Sequence, residues 1–212
     1  MASYKLIYFN LKGRAELIRL MFNLAGQPFE DQRVEFADWS KLKETFAFKQ
    51  LPVLEVKETD GRVTTIAQSN SIVRFVASRL GFDGKTDLER ASCDMICEQI
   101  RDIFDSLIYI FIMKNEEEKL ALFDKNINER IPEMYRLIQN LLDTNKSGFL
   151  VGNDVTYSDL ALILSYDWLR DRKEDVLAKL PGLKDHETRI RAIPRVAEHL
   201  KKCENDRLTI LF

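Results

Sequence analysis

The sequence is poor in the features that mark several specialised classes of protein. Its 212 residues include three cysteines and two histidines, and no apolar run approaches the roughly 18 residues of a transmembrane helix. The segment Met1–Phe9 does not join a charged start to a long apolar stretch, as a secretory signal would. No membrane partner is therefore predicted, and the expected compartment is the cytosol.

The charge of the chain is nearly balanced, with a net charge of −2, 31% charged residues and 45% hydrophobic residues. This composition is typical of an ordinary globular protein and suggests neither nucleic acid nor an anionic membrane as a partner. The length allows either one large domain or two small ones.

The cysteines do not form a disulfide framework. Cys93, Cys97 and Cys203 are odd in number and lack paired metal-ligand spacing. Cys93 and Cys97 stand four residues apart and would share a helix face, where a redox or metal pair is conceivable. Because only His186 and His199 could complete such a site, we interpret the cysteines as small buried or half-buried apolar residues and predict no metal site.

The first eighty or so residues mix strand and helix periodicities. They predict, in order, the strand Tyr4–Phe9, a helix around Leu17–Leu24, a polar edge strand Phe29–Phe36, a short helix from its cap Asp38 to Ala47, the strands Leu51–Val56 and Arg62–Ala67 joined by the Asp60-Gly61 turn, and the helix Ser69–Leu80. The order is βαβ, a helical connection, then ββα. Residues 1–81 are therefore assigned to an α/β domain.

The periodicity becomes helical after a linker at residues 82–85. The predicted features are a capping box at Thr86–Glu89, a long amphipathic helix to about Lys114, a second capping box in "TYSD" (Thr156–Asp159) before a very apolar helix, short helices near Lys173–Leu180 and Lys184–Ile193, and the tail "RLTILF". Residues 86–212 are assigned to an all-helical domain.

Pro52 opens the predicted third strand, where it cannot donate a hydrogen bond to the sheet. If the Leu51-Pro52 bond is cis, the N–H and C=O of Leu51 face outward unpaired; the alternative is an ordinary trans turn proline. A small βαβ–ββα domain with a proline at this place resembles the thioredoxin fold. In that fold the proline is cis, and its neighbour's exposed peptide pairs with a bound peptide.

Thioredoxins carry Cys-x-x-Cys after the first strand, whereas this chain has no cysteine before Cys93. A domain of this fold that has no cysteine of its own at this place could use the thiol of a bound ligand. Tyr8 stands at the end of the first strand, and a phenol that donates a hydrogen bond to sulfur lowers a thiol pKa from about 8.5 and favours the nucleophilic thiolate. Taken alone, Tyr8 could equally be an amphipathic residue at a strand end.

Four segments, "YKLIYFNLKGRAELIR", "ADWSKLK", "QLPVLEV" and "AQSNSIVRFVA", together resemble the glutathione transferases. The tyrosine with "YFN...GRAE" is most similar to the sigma class, which includes glutathione-dependent prostaglandin D synthases, invertebrate detoxification enzymes and weakly active lens crystallins. The similarity extends to "FLVGNDVTYSDLAL", which looks like the capping motif of the family's helical domain. The resemblance implies a cytosolic homodimer that uses glutathione and requires no metal.

The resemblance also implies roles for individual residues. Tyr8 would hold the glutathione sulfur as a thiolate, and Arg14 would favour the anion and lower the phenol's own pKa. The other residues implied to bind glutathione are Trp39, Lys43, Gln50, Leu51, Pro52, Gln68, Ser69 and Asp102 of the partner subunit. Arg14 could instead be a helix-start charge paired with Glu16, and Asp105 could take the place of Asp102.

Each part of glutathione has its implied partners. The peptide of Leu51 would pair with the cysteinyl part, while Gln68 and Ser69 would offer a helix N-terminus to the γ-glutamyl carboxylate. Trp39, Lys43 and Gln50 match positions that hold the glycine end. Without the resemblance to the glutathione transferases, "ADWSKLK" would be interpreted only as an amphipathic helix. Ser69 would be a good N-cap in any case.

An apolar pocket between the domains would receive the electrophile. The residues predicted to line it are Phe9, Leu11, Tyr109, Leu164 and Ser165. Aromatic and aliphatic residues at helical spacing are also typical of a core, so this alternative stays open.

One residue departs from the family pattern. Lys49 stands where the family usually has glycine, just before Gln50. Glycine adopts positive φ at little cost, so a lysine there must either accept strain or alter the loop.

Two function classes remain in competition. The favoured one is a glutathione transferase that adds the thiolate to small hydrophobic electrophiles and in a specialised form isomerises prostaglandin H to D. The alternative is a weakly active ligand-binding or crystallin-like relative. A dithiol oxidoreductase is remote because Cys-x-x-Cys is missing.

Overall fold

The structure of the protein, a computed structural model, describes residues 2–170, 178–204 and 206. Most of the helix predicted near Lys173–Leu180 and the tail at 207–212 lie outside the described residues. Two compact units are present: one holds the residues up to Leu80 and the segment that begins at Arg195, and the other is Gly81–Pro194. The last described helix therefore groups with the first unit, whereas the sequence-based division assigns it to the helical domain.

The described elements follow the predicted order. The strands are β1 (Ser3–Phe9), β2 (Glu30–Val34), β3 (Val53–Lys57) and β4 (Val63–Ala67). The helices are α1 (Glu16–Ala25), α2 (Phe36–Leu42), α3 (Ser69–Leu80), α4 (Asp87–Ile112), α5 (Glu116–Lys125), α6 (Ile131–Asn145), α7 (Tyr157–Arg170), α8 (Pro181–Arg191) and α9 (Pro194–Lys202). Short 3-10 turns lie at Gly13–Ala15 and Lys43–Thr45, and a π-helical turn lies at Asn126–Arg130.

The four strands of the first unit form one mixed sheet in the order β2-β1-β3-β4. β1 pairs with β2 in parallel and with β3 antiparallel, and β3 pairs with β4 antiparallel. The apolar strands β1 and β3 lie in the centre, where Leu6 and Leu54 are fully buried. The polar strand β2 lies at an edge, as its composition predicts, because an edge strand leaves polar side chains in contact with water.

The helices of the first unit mostly begin and end where the sequence predicts. α1 ends at Gly26, whose φ of 65° is the left-handed conformation that favours glycine. α2 is the exception: it begins at Phe36 after an extended Glu35, so Asp38 lies in its first turn and is not its cap. The helix also stops short of Ala47, because the chain tightens into a 3-10 turn that ends at Thr45.

Of the two capping boxes predicted for the second unit, the one at Thr86 is complete, and the one at Thr156 shows the bond from the backbone N–H of Thr156 to the Asp159 carboxylate. The N–H of Glu89 donates to Thr86 Oγ1 at 3.1 Å, and the N–H of Thr86 donates to the Glu89 carboxylate at 3.2 Å. At the start of α7 the buried Asp159 accepts the N–H of Thr156 at 2.8 Å and pairs with His186 Nε2, also at 2.8 Å. Residues 157–166 of α7 are all buried in this unit. None of the described helices is long and apolar enough to cross a membrane.

The three cysteines are free thiols. Burial raises the pKa of Cys93 and raises that of Cys97 well above its ordinary value. Both thiols therefore stay protonated at neutral pH, which agrees with their interpretation as small packing residues.

Candidate active site

One edge of the sheet brings together three residues that lie far apart in sequence. The register pairs Ile7 with Val53 and Val53 with Ala67. One residue beyond these pairs come Tyr8 on β1, Pro52 before β3 and Gln68 after β4. Because paired strands keep their register, these three predicted site residues lie side by side where the strands end.

Tyr8 is buried, with 2% of its surface exposed. Its oxygen accepts the backbone N–H of Arg14 at 3.2 Å. Since the phenol accepts in this bond, its own proton is available to an acceptor such as a thiolate.

The pKa of Tyr8 results from opposing effects. Burial raises it, whereas the hydrogen bond from the Arg14 backbone and the charges of Arg14 and Arg19 lower it, and the net direction is upward. The expected lowering by Arg14 is therefore present but is outweighed by desolvation. The consequence is a neutral phenol at pH 7, which is the form that can donate a hydrogen bond.

The peptide bond between Leu51 and Pro52 is cis, which confirms the first of the two alternatives. The pairing of β3 with β1 begins only at Val53, so the peptide of Leu51 lies outside the described ladder. Lys49 has a φ of 51°, so it adopts the glycine-like conformation and the loop is not rebuilt. Its ammonium group lies 2.6 Å from the Glu44 carboxylate on the surface.

The start of α3 lies beside this loop. Gln68 has a φ of 73°, an unusual conformation for a residue with a side chain, and its carbonyl accepts the N–H of Ile72. Its side-chain amide donates to Gln50 Oε1 at 3.4 Å, so two predicted glutathione contacts meet. Ser69, 9% exposed, is the first residue of the helix, where the unpaired N–H groups and the helix dipole favour an anion. Strained conformations of this kind persist mostly at functional sites.

Aromatic rings surround Trp39. Its ring meets that of Phe9 edge-on at 5.3 Å and stacks on Phe46 at 6.0 Å, and Phe9 stacks on Phe36 at 4.6 Å. Trp39 is half-buried, whereas Lys43, one turn further along, is exposed. Phe36 and Phe46 were not predicted as part of this site; the spacing of Phe36 from Trp39 on α2 is a signal that could have shown the first, whereas Phe46 follows the 3-10 turn in an extended conformation and has no such signal.

The remaining predicted residues differ in their exposure. Leu11 of the first unit is fully buried. In the second unit Asp102 is exposed on α4, and Asp105 lies 3.7 Å from Arg101. Tyr109 is 64% exposed on the same helix.

Leu164 and Ser165 lie on α7. Leu164 is 5% exposed, and Ser165 is fully buried. The Ser165 hydroxyl donates to the carbonyl of Leu162 at 2.6 Å and lies 2.8 Å from the Tyr135 hydroxyl. Ser165 thus makes two hydrogen bonds within the core of the helical unit, and its place in the electrophile pocket stays a prediction.

A polar cluster beside Tyr8 was not predicted. Arg19 and Glu16 of α1 and His199 of α9 are all buried, and the two oxygens of Glu16 are bound by the other two residues. Cys203 Sγ lies 3.7 Å from His199 Nε2, and donor atoms of Glu16, His199 and Cys203 all lie within 4.8 Å of one another. Burial and the charge of Glu16 raise the pKa of Cys203 to about 12, so this thiol is protonated at neutral pH.

Comparison with known proteins shows the family. Residues 4–78 match the protein-family model of the glutathione S-transferase N-terminal domain, and residues 101–203 match that of the glutathione S-transferase C-terminal domain. The chain belongs to the glutathione S-transferase family. The predicted fold class, a thioredoxin-like domain followed by an all-α domain, and the predicted enzyme class, a glutathione transferase, are thereby confirmed.

Individual relatives cover nearly the whole chain. Hematopoietic prostaglandin D synthase of Gallus gallus is 36% identical over 95% of this chain and 97% of its own. The class-mu 28 kDa glutathione S-transferase isozyme of Schistosoma japonicum is 34% identical over 93% of this chain and 97% of its own. The solved structure of the sigma class enzyme of Fasciola hepatica superposes with a TM-score of 0.85 at 27% identity and covers 99% of both chains. These names belong to different classes, so they support the family and leave the class open.

Proposed function

We propose that the protein is a sigma-class glutathione transferase in which Tyr8 activates the thiol of bound glutathione. The observation that carries this proposal is the state of the Tyr8 phenol: it is buried, it accepts the Arg14 backbone N–H, and it keeps its proton for a further partner. A thiolate at this oxygen would receive a charge-assisted hydrogen bond in a desolvated place, where such a bond is strong. The thiolate would then attack a small hydrophobic electrophile.

The same edge of the sheet supplies the contacts for the rest of glutathione. In this proposal the peptide of Leu51 pairs with the cysteinyl residue, and Pro52 fixes that peptide at the surface. The N-terminus of α3, with Gln68 and Ser69, receives the γ-glutamyl carboxylate. The meeting of Gln68 and Gln50 at 3.4 Å supports a continuous polar surface along this edge.

The remaining roles are proposed by similarity to the family. Trp39 and Lys43 hold the glycine end, and Asp102 of the partner subunit reaches the γ-glutamyl amine in a homodimer. Phe9, Tyr109 and Leu164 contribute apolar surface for the electrophile, whereas the fully buried Leu11 is not proposed to contact it. We place the enzyme in the cytosol, with a role in detoxification.

The direct test is a conjugation assay with glutathione and a chromogenic aryl halide. Tyr8→Phe removes one hydroxyl, and the expected result is a fall in kcat/KM of about 10²-fold, because removing one donor to a developing anion typically has an effect of that size. Tyr4→Phe is the matched control, since Tyr4 lies on the same strand, is 6% exposed and packs on Phe22 at 5.1 Å. Wild-type protein that reacts no faster than free glutathione would contradict the proposal and favour a ligand-binding or crystallin-like role.

A specialised activity is also proposed. The similarity to the Gallus gallus synthase supports isomerisation of prostaglandin H to D. The thiolate attacks one peroxide oxygen, which breaks the O–O bond and leaves the other oxygen to take up a proton as a hydroxyl. Loss of the proton on the carbon that bears the attacked oxygen then forms the ketone, breaks the S–O bond and regenerates the glutathione thiolate. Product analysis after incubation with the endoperoxide and glutathione tests this. Prostaglandin D as the main product, lost in Tyr8→Phe, supports the isomerase, and a product mixture equal to that without protein contradicts it.

A further inference from the structure

Arg19 is the most deeply buried charge of the first unit, with 1% of its surface exposed. Such a charge requires partners, because an unpaired charge in the interior is costly; Nε and Nη1 have them, and the buried Nη2 has none among the described residues. Its Nε donates to both oxygens of Asp31, at 3.0 and 3.1 Å. Its Nη1 donates to the carbonyls of Leu11 and Lys12 and to Glu16, at 2.9, 3.2 and 3.1 Å. The plane of the guanidinium is thereby fixed.

These partners lead directly to the candidate active site. Leu11 and Lys12 belong to the segment between β1, which ends just after Tyr8, and the turn whose Arg14 N–H binds the Tyr8 oxygen. By holding two carbonyls of this short segment, Arg19 fixes the place of that N–H. Its guanidinium carbon also lies 5.9 Å from the centre of the Tyr8 ring, within the distance of a cation–π contact.

The last helix holds this arrangement from the other side. His199 Nε2 lies 2.8 Å from Glu16 Oε1, while Asn23 Nδ2 lies 3.1 Å from His199 Nδ1 and donates to the carbonyl of Arg19 at 2.8 Å. The Asn23 amide is thus a donor to both, so Nδ1 of His199 accepts and Nε2 carries the proton given to Glu16. Burial would raise the pKa of Glu16, yet the hydrogen bonds from His199 and Arg19 and the charge of Arg19 lower it to about 2. Glu16 is therefore a carboxylate that anchors Arg19.

We propose that Arg19 is a positioning residue for the thiolate chemistry: held by Asp31, Glu16 and His199, it fixes the Arg14 amide at Tyr8 and sets a positive charge against the phenol ring. This inference rests on the proposed role of Tyr8. The charge of Arg19 lowers the pKa of Tyr8 against the effect of burial. A more acidic phenol donates a stronger hydrogen bond to an anion, so Arg19 stabilises the thiolate without contacting it.

The test measures the ionisation of Tyr8 in ligand-free protein. Tyrosine labelled with ¹³C at the ring Cζ is titrated by NMR, and the Tyr8 resonance is assigned by its loss in Tyr8→Phe. Arg19→Met is expected to lower the ionisation constant of the Tyr8 phenol about tenfold, as the loss of a nearby charge typically does. Arg19→Lys keeps the charge but not the planar fork and is expected to restore part of this change. Arg19→Gln keeps an N–H donor and serves in place of Arg19→Met should that variant not fold.

The matched control is Arg33→Met. Arg33 binds the same Asp31 carboxylate at 2.9 Å and also Asp206 at 2.8 Å, but 26% of its side chain is exposed and its charge is not among those that lower the pKa of Tyr8. The expected change in Tyr8 ionisation is less than about twofold. Loss of stability without any change in Tyr8 ionisation in the Arg19 variants would overturn the inference, as would equal effects of Lys, Gln and Met at position 19. Because this titration needs no glutathione, its outcome is distinguishable from that of the conjugation assay: a failed assay with a shifted phenol would refute the proposed function and leave only the effect of Arg19 on Tyr8 ionisation.

Discussion

Two buried tyrosines show why the site depends on hydrogen-bond direction and not on burial alone. Burial raises the pKa of both Tyr8 and Tyr135. The Tyr135 hydroxyl faces Ser165, whose own proton goes to the Leu162 carbonyl, so the Tyr135 proton is already used. The Tyr8 oxygen faces an N–H donor and keeps its proton. Only the second arrangement leaves a phenol ready to bind a sulfur anion. At the scale of single residues, Lys49 offers a separate test.

Lys49→Gly is expected to raise the free energy of unfolding by about 1 kcal/mol, because a residue with a side chain at a φ of 51° is strained whereas glycine is not. Chemical denaturation measures this difference. Lys49→Ala is the control: it removes the exposed contact with Glu44 but keeps the strain, so a change within about 0.5 kcal/mol is expected. A larger gain for alanine than for glycine would show that the strain is not the cause.

At the scale of elements, the N-terminus of α3 carries two of the proposed glutathione contacts, Gln68 and Ser69. Ser69→Ala removes a hydroxyl at the first residue of this helix, and the expected result is a rise in KM for glutathione of about tenfold, since a hydrogen bond to a charged group contributes about 1.5 kcal/mol. The exposed Ser71 lies in the same turn, and Ser71→Ala is expected to leave KM unchanged. Equal KM values for wild type and Ser69→Ala would remove Ser69 from the binding site.

The elements that the sequence predicts well are those with strong local signals. α3 begins and ends at the predicted residues, the capping box at Thr86 forms, and the Thr156 N–H binds the Asp159 carboxylate, because these signals act within one turn of the chain. The predicted cap of α2, Asp38, was wrong by three residues, because the cap is Glu35, which makes no side-chain cap bond that could mark it in the sequence. Ser165 was predicted to line the electrophile pocket only from its position along the helix. Its hydrogen-bond partner Tyr135 is 30 residues away in sequence, and no local pattern predicts that contact.

At the scale of the whole molecule, the buried cluster around Arg19 shows what a local pattern cannot supply. Glu16 and His199 are 183 residues apart, and their contact exists because the last helix belongs to the first unit. The positions of Tyr8, Pro52 and Gln68 could be foreseen because a family motif marks each of them. The residues around Tyr8 that influence its ionisation could be identified only from the tertiary structure.

The same cluster predicts a pH dependence of stability. The pKa of Glu16 falls from 4.5 to about 2 on folding, so its contribution is full above about pH 4.5 and is lost as the pH falls toward 2. The loss over this range is about 3 kcal/mol. Glu16→Gln is expected to remove this part of the acid sensitivity in denaturation at several pH values, whereas the exposed Glu44→Gln is not. A wild-type stability that stays constant from pH 4.5 to 2, or the same acid loss in Glu16→Gln, would contradict the structure.

The central claim is that the Tyr8 phenol ionises the thiol of bound glutathione. The most direct measurement is the ultraviolet absorption of the thiolate in the complex with glutathione, followed across pH for wild type, Tyr8→Phe and Tyr4→Phe. The account predicts a thiol pKa well below the ordinary value of about 8.5 in wild type and Tyr4→Phe, and a return toward that value in Tyr8→Phe. A bound thiol that titrates at the same pH in all three proteins would contradict it.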